Sequence, residues 1–146
     1  MSYFETVSVG DTRETAGRTV TEADVVNFAG VSGDYTYLHT DAEAMADSGF
    51  GERIAHGALV FAIMTGLRWQ SRPPEERDAV VAFYGLDTLR FTAPTFIGDT
   101  IHVTERVAEK SESDHPEAAG TVTWETEVEK QDGTTVLYTE PVILLR

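Results

Sequence analysis

The hydrophobic pattern changes character near residue 79. Before it, apolar positions come in helical groupings: Val25, Val26, Phe28 and Ala29 make one face, and Ala58 to Met64 is apolar without interruption. After it, apolar and polar positions alternate. The alternation is cleanest from Thr121 to Lys130, where Val122, Trp124, Thr126 and Val128 stand opposite Glu125, Glu127 and Glu129. A period near 3.6 marks a helix, and a period of two marks a strand with one buried face.

These patterns predict a set of elements. Thr21 followed by Asp24 reads as an N-cap with a capping box, opening a helix before Gly30. Asp41 caps a short helix through Asp47, which Ser48-Gly49 stops. The strongest helix runs from Gly57 to about Gln70, apolar nearly all round at its start, as a helix wrapped by a sheet would be. Arg68 and Trp69 are expected at its surface, and Ser71 to Asp78, with Pro73-Pro74, as a polar loop. Thr12 to Val20 reads as a short edge strand. Ala79 to Tyr84 reads as a buried strand that continues past Gly85 through Thr92. Thr100 to Glu109 places Ile101, Val103 and Val107 on one face. Thr134 to Leu145 is the last strand, in which Pro141 requires a bulge or an edge position. Ser111 to Gly120 and Gln131-Asp132-Gly133 are hairpin connections. Val9-Gly10-Asp11-Thr12 and Ile97-Gly98-Asp99-Thr100 repeat a turn, not a domain. Helices first and four long antiparallel strands after them give an α+β class, a curved sheet around one long helix.

Composition narrows the function. A chain of 146 residues, 41% hydrophobic, suits one folded domain over residues 1–146 and excludes a disordered chain. With no cysteine there is no disulfide, thiolate metal site or thiol nucleophile. The N-terminus lacks a basic segment followed by an apolar block, and Ala58 to Met64 is too short to span a bilayer. A soluble cytoplasmic protein without membrane contact is expected. Twenty-five acidic residues face 11 basic ones, a formal charge of −14, and Lys110 and Lys130 are the only lysines. That balance argues against nucleic-acid binding, which needs a basic patch. It suits a surface kept hydrated and screened at high salt, the halophilic reading.

Candidate chemistry gathers between Phe28 and Gly57. Asp34 and His39 lie in a glycine-punctuated part where neither is needed to fill a core, and a carboxylate beside an imidazole moves protons near neutral pH. Spacing alone is equally met by a capping aspartate and a surface histidine. His56-Gly57 opens the apolar helix, whose first N–H groups suit a developing oxyanion. For His56 itself a structural hydrogen bond anchoring the helix entrance is expected. The four histidines, His39, His56, His102 and His115, lack ligand spacing, so no metal site is expected.

Ser32-Gly33-Asp34-Tyr35-Thr36-Tyr37-Leu38-His39 resembles the S-G-D-x-N-P-L-H core of the MaoC-like (R)-specific enoyl-CoA hydratase family. The resemblance extends through Thr40-Asp41, Phe50, Ile54-Ala55-His56-Gly57, Arg90-Phe91-Thr92-Ala93-Pro94 and Gly98-Asp99-Thr100-Ile101. Thr36 and Tyr37 replace the family's Asn and Pro, and Met45 stands where a small residue is common. The resemblance implies a hot-dog fold and a homodimer with sheets joined edge to edge. It also implies reversible hydration of trans-2-enoyl-CoA to (R)-3-hydroxyacyl-CoA. Asp34 and His39 would hold the water, and the Gly57 N–H would polarise the thioester carbonyl. Thr65 stands where relatives carry a hydroxyl on the buried helix, and Thr36 offers a hydroxyl in place of the missing Asn. No separate cofactor is implied, since the acyl-CoA substrate carries coenzyme A. Arg68, Arg72 and Arg90 suit contact with coenzyme A phosphates and equally read as surface arginines, so none is assigned to a site. A hot-dog acyl-CoA thioesterase and a non-catalytic acyl-CoA-binding domain are the alternatives, because one fold carries all three.

Overall fold

The computed structural model describes residues 1–146. In chain order its elements are α1 (Tyr3–Thr6), β1 (Thr12–Glu14), β2 (Arg18–Thr19), α2 (Glu22–Ser32), α3 (Tyr37–Thr40) and α4 (Ala42–Ala46). There follow α5 (Gly57–Ser71), α6 (Pro74–Ala79), β3 (Val80–Phe91), β4 (Thr100–Glu112), β5 (Gly120–Lys130) and β6 (Thr135–Leu145).

Side-chain capping sets the starts of α1, α2 and α4. Thr21 accepts from the Asp24 N–H while the Asp24 carboxylate accepts from the Thr21 N–H, closing the predicted box. Asp41 accepts from the Ala44 N–H at 3.0 Å. The helix α2 runs through Gly30 and stops at Gly33, whose φ of 76° is the left-handed conformation that glycine adopts without strain. The two Gly-Asp turns share one geometry. Gly10 and Gly98 have φ of 96° and 100°, and Asp11 and Asp99 each accept from the N–H three residues earlier, at 2.9 and 2.7 Å.

The sheet is antiparallel throughout, in the order β1-β4-β5-β6-β3, with β2 also pairing β4. Helix α5 packs on one face: Leu59, Val60, Ile63, Met64 and Leu67 meet Ile101, Val103, Val128, Val136 and Leu137. Burial contributes about 1.5–3 kcal/mol for each such side chain, which outweighs the roughly 1 kcal/mol cost of a mid-helix glycine at Gly66. This is the hot-dog arrangement, a sheet wrapped on one long helix.

Four local expectations are corrected. Ser71 to Asp78 contains α6, which starts with Pro74 at its first position, where a missing N–H costs nothing. The strand β3 is not a buried strand: it forms a sheet edge, with Phe83 44% and Tyr84 69% exposed. Pro141 lies in β6, an inner strand. The edge alternative fails and the irregular one holds, because the β3–β6 register shifts between Phe83 and Gly85 and again between Leu86 and Leu89. Arg68 is 1% exposed, and Arg72 is buried as well.

The reason is a polar row across the sheet. Arg13 of β1 pairs in register with Glu105 of β4, Glu105 with Thr126 of β5, and Thr126 with Thr139 of β6. Glu105, Thr126 and Thr139 are all buried. Arg68 reaches down from α5 to Glu105 Oε2, and Arg13 Nη2 holds Oε1 at 2.7 Å. Arg13 also binds the buried Glu76 of α6 at 2.6 Å, and Arg72 Nε stands 3.4 Å from the same carboxylate without hydrogen-bond alignment. Apolar side chains collect on either side of this row. One cluster of 13 lies around α5, and one of eight includes Phe4, Ala79, Val107, Trp124 and Leu145.

Candidate active site

Asp34 follows Gly33 directly, where the chain turns out of α2. Its Oδ1 accepts from both the N–H and the hydroxyl of Thr36, a local turn of the kind aspartate favours. That leaves Oδ2 free, 3.8 Å from His39 Nε2. The Thr36 hydroxyl is therefore engaged by the carboxylate. These two bonds, with the His39 and His56 rings nearby, hold the Asp34 carboxyl below the usual carboxylate range against a small opposing desolvation.

His39 sits on α3, a single turn, and is buried. Its Nδ1 lies 2.8 Å from the Ile54 carbonyl oxygen, which can only accept. The proton is therefore on Nδ1, and the Nε2 lone pair faces Asp34. His56 is 2% exposed and lies 2.9 Å, through Nε2, from the Asp34 carbonyl oxygen, so its Nε2 carries the proton. The expected anchoring bond exists, but its acceptor is the Asp34 main chain; as N-cap of α5 the ring makes no side-chain bond to the helix. The two imidazoles stack with centroids 3.7 Å apart, and Phe28 meets His56 edge-on at 5.0 Å. Ligand atoms of Asp34, His39 and His56 lie within 4.8 Å of one another, a gathering that their spacing in the chain did not suggest.

Gly57 begins α5, so its N–H has no intrahelical acceptor. The Phe91 ring lies against it: a Cβ built at Gly57 would stand 2.7 Å from Phe91 Cε1. His39, Gly57 and Phe91 share the wall of a cavity of about 480 Å³, with Leu38, Phe50 and Val136 among its apolar lining. Asp34, its side chain 47% exposed, stands outside that wall beside His39. A second hollow, of about 510 Å³, opens on the sheet's other face among Glu14, Arg106, Glu125, Glu127 and Tyr138. It is nearly all charged and polar and holds none of these residues, so the apolar cavity is the candidate site.

The structure thus brings together Asp34, Thr36, His39 and Gly57. Thr65 lies two turns along α5 from Gly57, about 12 Å at 1.5 Å per residue. It donates to the Ala62 carbonyl and does not border the cavity. The reading of the residues did not foresee the His39–His56 stack or the contact of Phe91 with Gly57. The signal for the second was the Arg90-Phe91 segment of the resemblance.

Comparison with known proteins identifies the family. The family described as "MaoC like domain" matches residues 5–130. The chain is 47% identical over 103 residues to Protein MaoC of Klebsiella aerogenes, covering 69% of this chain and 29% of that protein. It is 36% identical over 107 residues to the 3-hydroxybutyryl-CoA dehydratase of Methylorubrum extorquens, covering 73% of this chain and 64% of the relative. Among solved structures, an Archaeoglobus protein titled a monoamine oxidase regulatory protein superposes with a TM-score of 0.90 at 39% identity, over 99% of this chain and 94% of its own. The R-hydratase of Pseudomonas aeruginosa superposes with a TM-score of 0.78 at 32% identity, over 97% and 84%. The chain spans under a third of the Klebsiella protein and just under two thirds of the dehydratase. On the family match over most of its length, this chain belongs to the MaoC-like domain family.

Proposed function

We propose that the protein hydrates trans-2-enoyl-CoA to (R)-3-hydroxyacyl-CoA, and catalyses the reverse dehydration, with Asp34 and His39 as its acid–base pair. The observation that carries this reading is the 3.8 Å separation of Asp34 Oδ2 and His39 Nε2 beside an apolar cavity walled by Gly57. Both atoms are acceptors, so one water can donate a hydrogen bond to each and turn a lone pair toward C3. A carboxylate is ordinarily a weaker base than an imidazole, so His39 Nε2 takes the water's proton as the C–O bond forms. The Asp34 carboxylate then faces the imidazolium. Charge developing on the thioester oxygen is met by the Gly57 N–H, a kind of donor typically worth ~3 kcal/mol. The imidazolium returns its proton to C2, which balances the addition of water. No cofactor is needed beyond the coenzyme A of the substrate.

The relatives' names support acyl-CoA hydration chemistry, and the (R) configuration follows theirs. The edge strand β3 is hydrogen-bonded on one side only and carries the exposed Phe83 and Tyr84. We assign it to edge-to-edge pairing with a second copy, giving a homodimer. No helix is long and apolar enough to cross a membrane, and the assignment to the cytoplasm is part of the same proposal.

Crotonyl-CoA tests the reading. Loss of enoyl absorbance without release of free thiol supports hydration. Free thiol would assign a thioesterase instead, and no turnover would leave an acyl-CoA-binding domain.

A further inference from the structure

We infer that His56 is a positioning residue for both members of the catalytic pair. This rests on the hydratase reading above for its kinetic part, and on geometry alone for the rest.

Two segments far apart in sequence are clasped reciprocally. His39, from the first, donates to the carbonyl of Ile54 in the second at 2.8 Å. His56, from the second, donates to the carbonyl of Asp34 in the first at 2.9 Å. The Ile54 N–H closes the clasp by donating to the Leu38 carbonyl at 3.0 Å. The buried His56 Nδ1 has no hydrogen-bond partner, yet the residue acts on three parts of the site. Its Nε2–H holds the main chain of Asp34, which fixes where the carboxylate begins. Its ring lies on His39 with the planes 25° apart, which limits rotation of the ring whose Nε2 must meet the water. Its own backbone immediately precedes Gly57. Phe28 also meets the His56 ring, edge-on at 5.0 Å, which further limits its movement. Three reacting elements therefore share one rigid reference, and a displacement of about 1 Å at such a place can cost on the order of 10²-fold in rate.

Two variants separate the bond from the ring. His56→Phe keeps the aromatic stack and removes the donor; His56→Gln keeps a donor and removes the stack. With crotonyl-CoA, kcat is expected to fall about 10²-fold in the first and about 10-fold in the second, with KM within about threefold of the parent. Thermal melts establish that the protein assayed is folded. Imidazole ¹⁵N shifts give a second readout that needs no turnover. His39 should hold its proton on Nδ1 in the parent and show mixed tautomers in His56→Gln. A folded His56→Phe with kcat within twofold of the parent would overturn the inference, as would an unchanged His39 spectrum in His56→Gln. If the parent itself fails to hydrate crotonyl-CoA, the hydratase reading falls, and the His39 spectrum still decides the positioning role.

Discussion

Arg68 and Glu105 form an ion pair between the central helix and the sheet in which neither side chain reaches water. Burial pushes the Glu105 carboxyl up, but Arg68 and Arg13 more than offset it, and the net direction is below the ordinary range. A depressed carboxyl contributes stability that is fully present above its unfolded pKa of about 4.3 and is lost as pH falls through the folded value. The protein should therefore lose stability on acidification below about pH 4.3. Glu105→Gln should cost ~3–5 kcal/mol at neutral pH, because it leaves buried guanidinium charge uncompensated. The same variant should show a flatter acid limb in thermal melts against pH. Replacing both partners, as Arg68→Met with Glu105→Leu, should cost less than the single change.

Asp34→Asn and His39→Ala should each lower kcat by about 10²–10⁴-fold. The first should leave the melting temperature near that of the parent. The second, which also removes a buried ring and its bond to the Ile54 carbonyl, should lower it with the fold retained. The double variant should be little worse than the poorer single one, because the two groups act as a unit. Near-native turnover in either single variant would remove the proposed mechanism.

Thr36 supplies two of the bonds that hold Asp34 low. Thr36→Val deletes the hydroxyl and keeps the N–H, so the Asp34 carboxyl should titrate at higher pH, nearer the ordinary carboxylate range. A ¹³C carboxyl titration reads this directly. Thr36→Asn, which restores the family residue, should preserve or raise turnover of short enoyl-CoA.

Gly57 has no room for a side chain. Gly57→Ala would drive a methyl to 2.7 Å from the Phe91 ring, displacing either the ring or the start of α5. We expect at least a 10-fold loss of kcat/KM, roughly the scale of a misaligned donor, with part of it recovered by Phe91→Leu in the same chain. Equal activity in Gly57→Ala and the parent would show that the Phe91 ring yields to the methyl without moving the start of α5.

The charge of −14 predicts salt dependence. The screening length falls from ~30 Å at 0.01 M to about 3 Å at 1 M, so repulsion among surface carboxylates is largely removed in molar KCl. Melting temperature and the dimer fraction by sedimentation should both rise with KCl. Equal values at the two salt levels would retire the halophilic reading.

The strands were legible where one face is apolar. Ile101, Val103 and Val107 point inward, as do Val122, Trp124 and Val128, with the glutamates of β5 between them. Glu105 broke the pattern because its partners come from β1 and α5, separated from it by 92 and 37 residues. No local reading supplies two such counter-charges. The strand β3 has the composition of a buried strand, and its edge position depends on which strand it pairs with. At the site, Asp34 and His39 could be named because the Ser32–His39 segment resembles the family core, where spacing alone did not decide. The contacts that place them are carbonyl oxygens and ring faces, which carry no residue signature. Thr65 was assigned by resemblance, and helical rise alone carries it away from Gly57.

The polar row from Arg13 to Thr139 divides the interior into two dry compartments with separate tolerances. Val60 and Val136 belong to the 13-residue compartment and also line the cavity. Under the proposed function, trimming either one reshapes the space available to an acyl chain and loses packing in that compartment. Trp124, Leu145 and their neighbours continue to hold α1 and α6 on the other. Under the same proposal, selection for longer or shorter substrates would act on one compartment while the other keeps the chain folded.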